Sequence, residues 1–280
     1  MIDYHIHLER GPYTLEWVRR FWEQAESRGL TEIGITEHAH RFKEFRPVYE
    51  HLLEGVGHYP YVRAWLGGEF QYSIEEYFDL LEKARDDGMP IKVGIEADFF
   101  PSKMVLIRDI LDEYSFDYIL GSVHFLDKWS FDYDPKYGWA ERDIDLVYLQ
   151  YIAALKEAVA SGMFDIMSHL DVIKVFGNRP SKDLEAEWDS LLEAIAASGL
   201  CIEISTAGLR KPVQEIYPEE NLIRKAAQLH IPITIASDAH IPDDVGDQWE
   251  TAVRTARQAG YTEYQIFTDR RAQSKPLPLI

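Results

Sequence analysis

The segment "IDYHIH" (residues 2–7) places two histidines, His5 and His7, one residue apart. Successive side chains of a β-strand point to opposite faces, so both imidazoles point the same way if this segment is a strand. Neutral imidazole is a common ligand of zinc and similar metals. An isolated H-x-H pair is more often a surface feature or a hydrogen-bonded pair, so the rest of the chain has to decide between these interpretations.

Further short segments share the apolar, β-favouring character of the first, and helical patterns separate them. One helical pattern begins at Ser73 with a capping box to Glu76, another ends at Gly162, and a third is expected to begin at Ser181 and end at Gly199. The other strand-like segments are "EIGITEH" (32–38), "IKVGIEA" (91–97), "DYILGSVHF" (117–125), "FDIMSHL" (164–170), "CIEIST" (201–206) and "ITIASDAH" (233–240).

This alternation of strands and helices is typical of a parallel sheet in an α/β fold. Seven such units in 280 residues predict a barrel like the (β/α) TIM barrel, with one strand fewer, and a single domain over residues 1–280. An open doubly wound sheet is the alternative. No G-x-G-x-x-G follows the first strand, which disfavours a dinucleotide-binding fold.

Polar side chains stand at the carboxyl ends of these strands, which is where such barrels carry their chemistry. Buried polar groups are costly unless they are paired or bound, so their convergence on one barrel mouth predicts a metal site. The strand-end residues are His5 and His7; Glu37, His38 and His40; Glu96 and Asp98; His124; His169 and Asp171; Glu203, Arg210 and Lys211; Asp238 and His240.

The mixture of imidazole and carboxylate in this set suits Zn, Fe or Mn better than Ca or Mg. An ion takes about four protein ligands, so the set is large enough for at least two ions. Two ions roughly 3.5–4 Å apart can activate water and hold both oxygens of an in-line displacement. The sequence therefore predicts hydrolytic chemistry, most simply on a phosphate ester.

The overall composition argues against several other classes of protein. The formal net charge is -19 and no basic stripe is present, so a nucleic-acid substrate is not expected. No apolar run reaches 18 residues, and the first residues lack the pattern of a signal peptide. Together with a single cysteine, Cys201, these features predict a cytoplasmic protein that does not enter a membrane.

Seven segments fall in the order of a known family: "DYHIH", "ITEHAH", "GIEADF", "GSVHFL", "SHLDVIKVFG", "STAGLRKP" and "SDAH". In these motifs the chain resembles the polymerase and histidinol phosphatase (PHP) family, and within it the stand-alone histidinol-phosphate phosphatases. The resemblance covers nearly the whole chain. It implies a distorted seven-stranded barrel, two or three divalent metal ions, and hydrolysis of L-histidinol phosphate in histidine biosynthesis.

The resemblance also implies which residues hold the metals. Relatives carry another histidine soon after the opening pair, but "HLERGPYTLEW" (7–17) contains none beyond His7. Glu9 is therefore expected to replace it at the third ion. Asp3 and Glu37 are expected to orient histidines by accepting N–H groups. The implied ligands are His5, His7, Glu96 and Asp238 for the first ion, Glu96, His124 and His169 for the second, and His38 and His240 for the third.

The substrate is expected to be a small phosphorylated metabolite. Arg210 is expected to bind its phosphate through two N–H groups, with Lys174 as a second candidate and Lys211 in solvent. Glu203 is expected to attract an ammonium group. Asp238 or His240 would protonate the leaving alkoxide.

Two long segments near the mouth have open roles. Residues 39–72 are aromatic and form either a lid or a peripheral helical insert, and residues 127–139 carry the same alternatives. His51 and His58 are expected at the surface.

Another phosphate ester or a phosphodiester is the alternative substrate, and a non-catalytic interaction module is the alternative role. The sequence leaves the oligomeric state open.

Overall fold

The structure is a computed structural model that describes residues 1–54 and 59–279. Its strands are β1 (Ile2–Asp3), β2 (Glu32–Ile35), β3 (Ile91–Asp98), β4 (Tyr118–Ser122), β5 (Phe125–Leu126), β6 (Trp129–Ser130), β7 (Ile166–Met167), β8 (Cys201–Ser205), β9 (Ile233–Ala236), β10 (Glu263–Thr268) and β11 (Arg271–Pro276). Seven of them form one parallel sheet in the order β1-β2-β3-β4-β7-β8-β9.

Hydrogen bonds between the segments that follow β1 and β9 close this sheet into a barrel. The amide of His7 donates to the carbonyl of Ala239 at 2.8 Å, and the amide of Ala239 donates to the carbonyl of His5 at 3.1 Å. An open doubly wound sheet would leave both strands as edges, so that alternative is wrong. The predicted distorted seven-stranded barrel is confirmed, and its distortion is visible in β1 and β7, which have two residues each.

Helices surround the barrel, and three of the four helix boundaries predicted from the sequence are confirmed. Ser73 and Glu76 form the capping box, and Gly162 and Gly199 end their helices with positive φ angles of 65° and 75°. The expected start at Ser181 is wrong, because its amide and hydroxyl bind the Asp145 carboxylate. The helices are α1 (Leu15–Ser27), α2 (Arg46–Leu53), α3 (Pro60–Leu66), α4 (Ile74–Asp86), α5 (Met104–Asp112), α6 (Ile144–Ser161), α7 (Glu185–Ser198), α8 (Glu220–Gln228) and α9 (Trp249–Ala259).

The insert at residues 39–72 contains α2 and α3 and packs beside the barrel mouth. The Tyr49 hydroxyl donates to Asp98 Oδ2 at 2.7 Å, at the end of β3. The Tyr61 hydroxyl donates to the carbonyl of Ser130 at 2.9 Å, which ties the insert to the 127–139 loop. His51 is half-buried, with Nδ1 3.0 Å from the carbonyl of Val48, whereas His58 lies outside the described residues. In the described part of the chain, no helix has both the length and the apolar composition needed to cross a membrane.

Candidate metal centre at the barrel mouth

His5 and His7 follow β1 and point to the same place, as strand alternation predicts. Both are fully buried, and their ring centroids are 4.8 Å apart. Nδ1 of His5 donates to Glu203 Oε2 at 2.7 Å, which leaves Nε2 facing the barrel mouth. Within residues 1–54 and 59–279, Nε2 of His5 and both ring nitrogens of His7 lack a hydrogen-bond partner. These nitrogens are therefore available as ligands.

The Glu96 carboxylate, near the end of β3, lies at the centre of the cluster. Its Oε1 is 3.0 Å from Nε2 of His169 and 3.5 Å from Nε2 of His124. Its Oε2 is 2.6 Å from Nδ1 of His38 and 3.7 Å from Nε2 of His7. A carboxylate with histidines next to both oxygens is placed to bridge two ions.

Asp238 and His240 complete the cluster from the segment after β9. Asp238 Oδ1 is 3.3 Å from Nε2 of His7 and 3.3 Å from Nε2 of His240. Its backbone has a positive φ of 52°, a conformation that a non-glycine residue seldom adopts. Such strain is common at functional sites, where the surrounding structure stabilises it. The last strand therefore brings both side chains beside the histidines of the first.

A second layer of carboxylates orients the cluster, and it differs in part from the expected one. Asp98 accepts from Nδ1 of His124 at 2.8 Å, and Glu9 accepts from Nδ1 of His240 at 2.7 Å. Asp3 accepts the backbone N–H of His5 at 3.4 Å and not a ring N–H, and its carboxylate also accepts the backbone N–H groups of Ser237 at 2.9 Å and Gly246 at 2.7 Å. Asp3 thus holds the loop that carries Asp238, while Glu37 Oε1 lies 3.5 Å from His7 Nδ1.

The donor set fits divalent transition-metal ions. A buried polar atom without a partner costs about 1–3 kcal/mol, which coordination would offset. Imidazole with carboxylate is the ligand mixture that Zn, Fe and Mn accept. In the described part of the chain, four sets of three side chains have ligand atoms within 4.8 Å of one another: His5, His7 and Asp238; His5, Glu96 and His169; His7, His38 and His240; and Glu9, His38 and His40.

The charges of these groups are strongly coupled. Burial lowers the pKa of His5, but nearby carboxylates, first that of Glu203, outweigh burial and raise the pKa well above its usual value. Carboxylates likewise raise the pKa of His124 to about 10 and that of His240 to about 9, against the effect of burial. The histidines hold the pKa of Glu96 well below its usual range, although burial alone would raise it. Without metal, protons therefore balance the buried carboxylates.

An open cavity of about 290 Å³ lies above the cluster. His38, His124 and His240 border it, and they also border a smaller space of about 110 Å³ directly over the cluster. Trp65 of the insert forms part of its wall, so this segment both packs its aromatics and borders the site. The other wall residues that matter below are Arg10, Asp132, Tyr133 and Lys211.

Two expected substrate contacts are wrong, since both side chains are fully buried and already paired. Lys174 Nζ donates to the Ile216 carbonyl at 2.9 Å and to Asp171 at 2.8 Å. Glu203 accepts from His5 and, at 3.1 Å, from the amide of His169, so its carboxylate supports the ligands from below. Neither residue borders the cavity over the histidines.

Arg210 also lies differently from the expectation. Its Nη2 donates to the carbonyl of Ser237 at 2.6 Å, and its guanidinium faces Asp244 at 3.7 Å and Asp247 at 3.5 Å. These contacts hold the segment that leads to Asp238. Lys211, expected in solvent, borders the cavity over the cluster instead.

Sequence reasoning counted His40 among the strand-end residues but assigned it to no ion, and it gave no role to Asp132. His40 repeats the H-x-H spacing with His38, and this pattern could have identified it. Asp132 lies in the 127–139 loop, where Ser130 Oγ is 2.9 Å from its Oδ1, and no local pattern marks it.

Comparisons with known proteins agree with this geometry. The PHP domain family model matches residues 3–207. A Deinococcus radiodurans protein named "Probable histidinol-phosphatase" is 32% identical over 262 residues, which cover 93% of this chain and 94% of that protein. The histidinol-phosphatase of Bacillus subtilis is 28% identical over 276 residues, covering 89% and 96%.

A solved structure shares the fold. The histidinol phosphate phosphatase of Lactococcus lactis, crystallised with zinc, L-histidinol and phosphate, aligns with a TM-score of 0.76 at 22% identity and covers 97% of this chain and 98% of its own. By its matched family model and its relatives, the chain belongs to the PHP domain family.

Proposed function

We propose that this protein is a metal-dependent histidinol-phosphatase, which hydrolyses L-histidinol phosphate to L-histidinol and phosphate. The observation that carries the proposal is the set of histidine rings that surround the Glu96 carboxylate at 2.6 to 3.7 Å. The relatives named histidinol-phosphatase match along most of their length and support the choice of substrate.

Two or three divalent ions, Zn, Fe or Mn, would bind at the mouth. When bound, such ions lower the pKa of water and offset charge on a phosphoryl group. Glu96 would be shared by the inner two positions, and Glu9 would replace the histidine that this chain lacks at the outer one. The proposed ligands are His5, His7, Glu96 and Asp238; Glu96, His124 and His169; and His38, His240 and Glu9.

Lys211 is the proposed phosphate contact in place of Arg210. Its side chain borders both parts of the cavity over the histidines, where the phosphate must lie to reach the ligand cluster. Arg10 borders the same cavity from the segment after β1. An ammonium or guanidinium group that donates to a phosphate oxygen forms a charge-assisted hydrogen bond, which is stronger than a neutral one. Arg210 instead positions the loop of Asp238.

Asp132 is the proposed partner of the substrate ammonium group in place of Glu203. Its carboxylate borders the cavity and keeps about a quarter of its side-chain surface exposed. Beside it, the rings of Trp65 and Tyr133 are 5.2 Å apart and offer a flat surface to an imidazole. Phosphate would then lie toward Lys211 and the amine toward Asp132.

Asp238 or His240 is proposed to transfer a proton to the leaving oxygen. Both border the space directly over the cluster, which is where the leaving group must be. The surrounding histidines, first His5, hold the pKa of Asp238 well below its usual range, although burial alone would raise it, so Asp238 would have to take a proton before it gives one. We further propose that residues 1–280 act as one domain and that the insert at 39–72 closes one side of the cavity as a lid.

Phosphate release from a panel of esters tests the assignment. The metal-reconstituted protein should hydrolyse histidinol phosphate with a kcat/KM higher by about 10² or more than for p-nitrophenyl phosphate, which corresponds to about 2.7 kcal/mol of transition-state binding. A neutral sugar phosphate is the matched control. Equal rates on the sugar phosphate and histidinol phosphate would leave a phosphatase but remove this substrate. Absence of bound metal would favour the non-catalytic module.

A further inference from the structure

We propose that His40 is a ligand of the outermost metal position, together with Glu9 and His38. The inference rests on the metal dependence proposed above, and it adds a ligand that the resemblance to the PHP family does not assign. The ligand class is a divalent transition metal that accepts nitrogen and oxygen donors, such as zinc or manganese.

The geometry of the three side chains supports a shared ion. One ligand atom from each of Glu9, His38 and His40 lies within 4.8 Å of the other two. The two imidazoles are nearly parallel, with ring centroids 4.7 Å apart. Glu9 Oε2 is 3.7 Å from Nε2 of His38, while its Oε1 is bonded to Nδ1 of His240 at 2.7 Å. The Glu9 carboxylate thus lies between the rings of His38 and His240.

His40 carries a nitrogen that its packing does not explain. The residue is 4% exposed, and its Nδ1 has no hydrogen-bond partner among the residues that the structure describes. Its ring packs edge-on against Tyr49 at 6.0 Å and Trp65 at 5.1 Å, contacts that a phenylalanine would make equally well. Leaving the nitrogen unpaired costs about 1–3 kcal/mol. Coordination of an ion would remove that cost.

The position also has space and access. Glu9, His38 and His40 all border the cavity of about 290 Å³. The side chains of Glu9 and His38 are 22% and 16% exposed, whereas those of His5 and His7 in the inner cluster are fully buried. An ion here is closer to solvent than the inner ions, so it should exchange faster and bind more weakly.

A crystal structure of the protein grown with excess zinc tests the proposal directly. Anomalous scattering at the zinc edge should show an outer ion with a His40 nitrogen at about 2.0–2.1 Å, the usual Zn–N distance. His40→Phe keeps the packing and removes the nitrogen. It should lose the outer peak and keep the inner ones, and metal analysis should find about one ion fewer per chain because that position lacks a ligand. His51→Phe, in the same insert but away from the cluster, should retain every ion.

Several outcomes would overturn the proposal: a fully occupied outer peak in His40→Phe, an outer ion without a His40 nitrogen beside it, or no outer ion in the wild-type crystals. If His40→Phe does not fold, the wild-type distances and His40→Gln still decide the question. These outcomes are distinct from a failure of the proposed function. In that case the outer ion would be bound by His40 as described, but histidinol phosphate would not be hydrolysed.

Discussion

The Glu203 carboxylate accepts a hydrogen bond from Nδ1 of His5 at 2.7 Å, and both side chains are fully buried. The bond turns Nε2 of His5 toward Glu96 Oε1, at 3.5 Å, and Asp238 Oδ1, at 3.8 Å. A carboxylate in this position fixes the tautomer of a metal-binding imidazole and increases its basicity. We therefore propose that Glu203 orients the His5 imidazole and does not contact the substrate.

Glu203→Gln should weaken metal binding by about 10- to 100-fold, because the neutral amide orients His5 less strongly. Competition with a chelator, followed by metal analysis, measures the effect. Glu193→Gln, at an exposed position on α7, is the matched control. Unchanged metal affinity with a selective loss of activity on ammonium-bearing esters would restore Glu203 as a substrate contact.

Lys211→Met should lower activity, whereas Arg210→Met should lower stability and metal content. Loss of Lys211 should lower kcat/KM for every phosphate ester by about 10- to 100-fold, since a hydrogen bond to a charged group contributes about 1.5–3 kcal/mol. Loss of Arg210 should instead lower the melting temperature and metal content, because its guanidinium holds the Ser237 carbonyl. Steady-state kinetics and thermal melts separate the two. The reverse pattern would return the phosphate to Arg210.

Asp132→Asn should lower activity only on substrates that carry an ammonium group. Its carboxylate is partly open to solvent, so its contribution to binding an ammonium group is about 1–2 kcal/mol. The expected result is a kcat/KM about 5- to 30-fold lower for histidinol phosphate and unchanged for p-nitrophenyl phosphate. An equal loss on both esters would show that Asp132 acts on the metals or the phosphate and not on the amine.

The stability of the metal-free protein should fall as pH rises, while that of the metal-loaded protein should not. The pKa values of His124 and His240 lie at about 10 and about 9 in the fold, above the unfolded value of about 6.5. Their stabilisation is therefore complete below about pH 6.5 and is lost as the pH rises through the folded values. Bound metal replaces these protons.

Melting temperatures with a chelator and with zinc should accordingly diverge between about pH 7 and pH 9.5, the window that these pKa values set. Far-ultraviolet circular dichroism at each pH confirms that both forms start folded. Parallel profiles in the two conditions would show that the histidines do not hold protons in the metal-free cluster.

Much of the fold and of the inner cluster could be predicted from sequence, because each ligand ends an apolar strand. The side chains of His5, His7 and Glu96 could be placed from their own strands alone, because the alternation of side chains along a strand sets the face to which each one points. The errors concern side chains whose partners are distant. Lys174 was expected at the phosphate, but its amine is bonded to the carbonyl of Ile216, 42 residues away. No local pattern reveals such a partner.

The proposed exchange of roles between Arg210 and Lys211 has a different cause. Residues Ala207–Arg210 form a single 3-10 turn, and Lys211 ends it. With about three residues per turn, neighbouring side chains diverge by roughly 120°. A motif identifies the turn, but which of two adjacent cations faces the cavity depends on where the turn ends. Sequence reasoning had no means of fixing that point.

The closure of the barrel by its first and last strands determines when the site can exist during synthesis. Asp3 binds the amide of Ser237 across 234 positions of the chain, and His7 meets Asp238 through the same closure. On the ribosome, His5 and His7 emerge long before their partners. The nascent chain therefore lacks Asp238 and His240, two of the nine proposed ligands, until the last parallel strand has left the exit tunnel. Complete metal loading would then be a late event that marks a finished barrel.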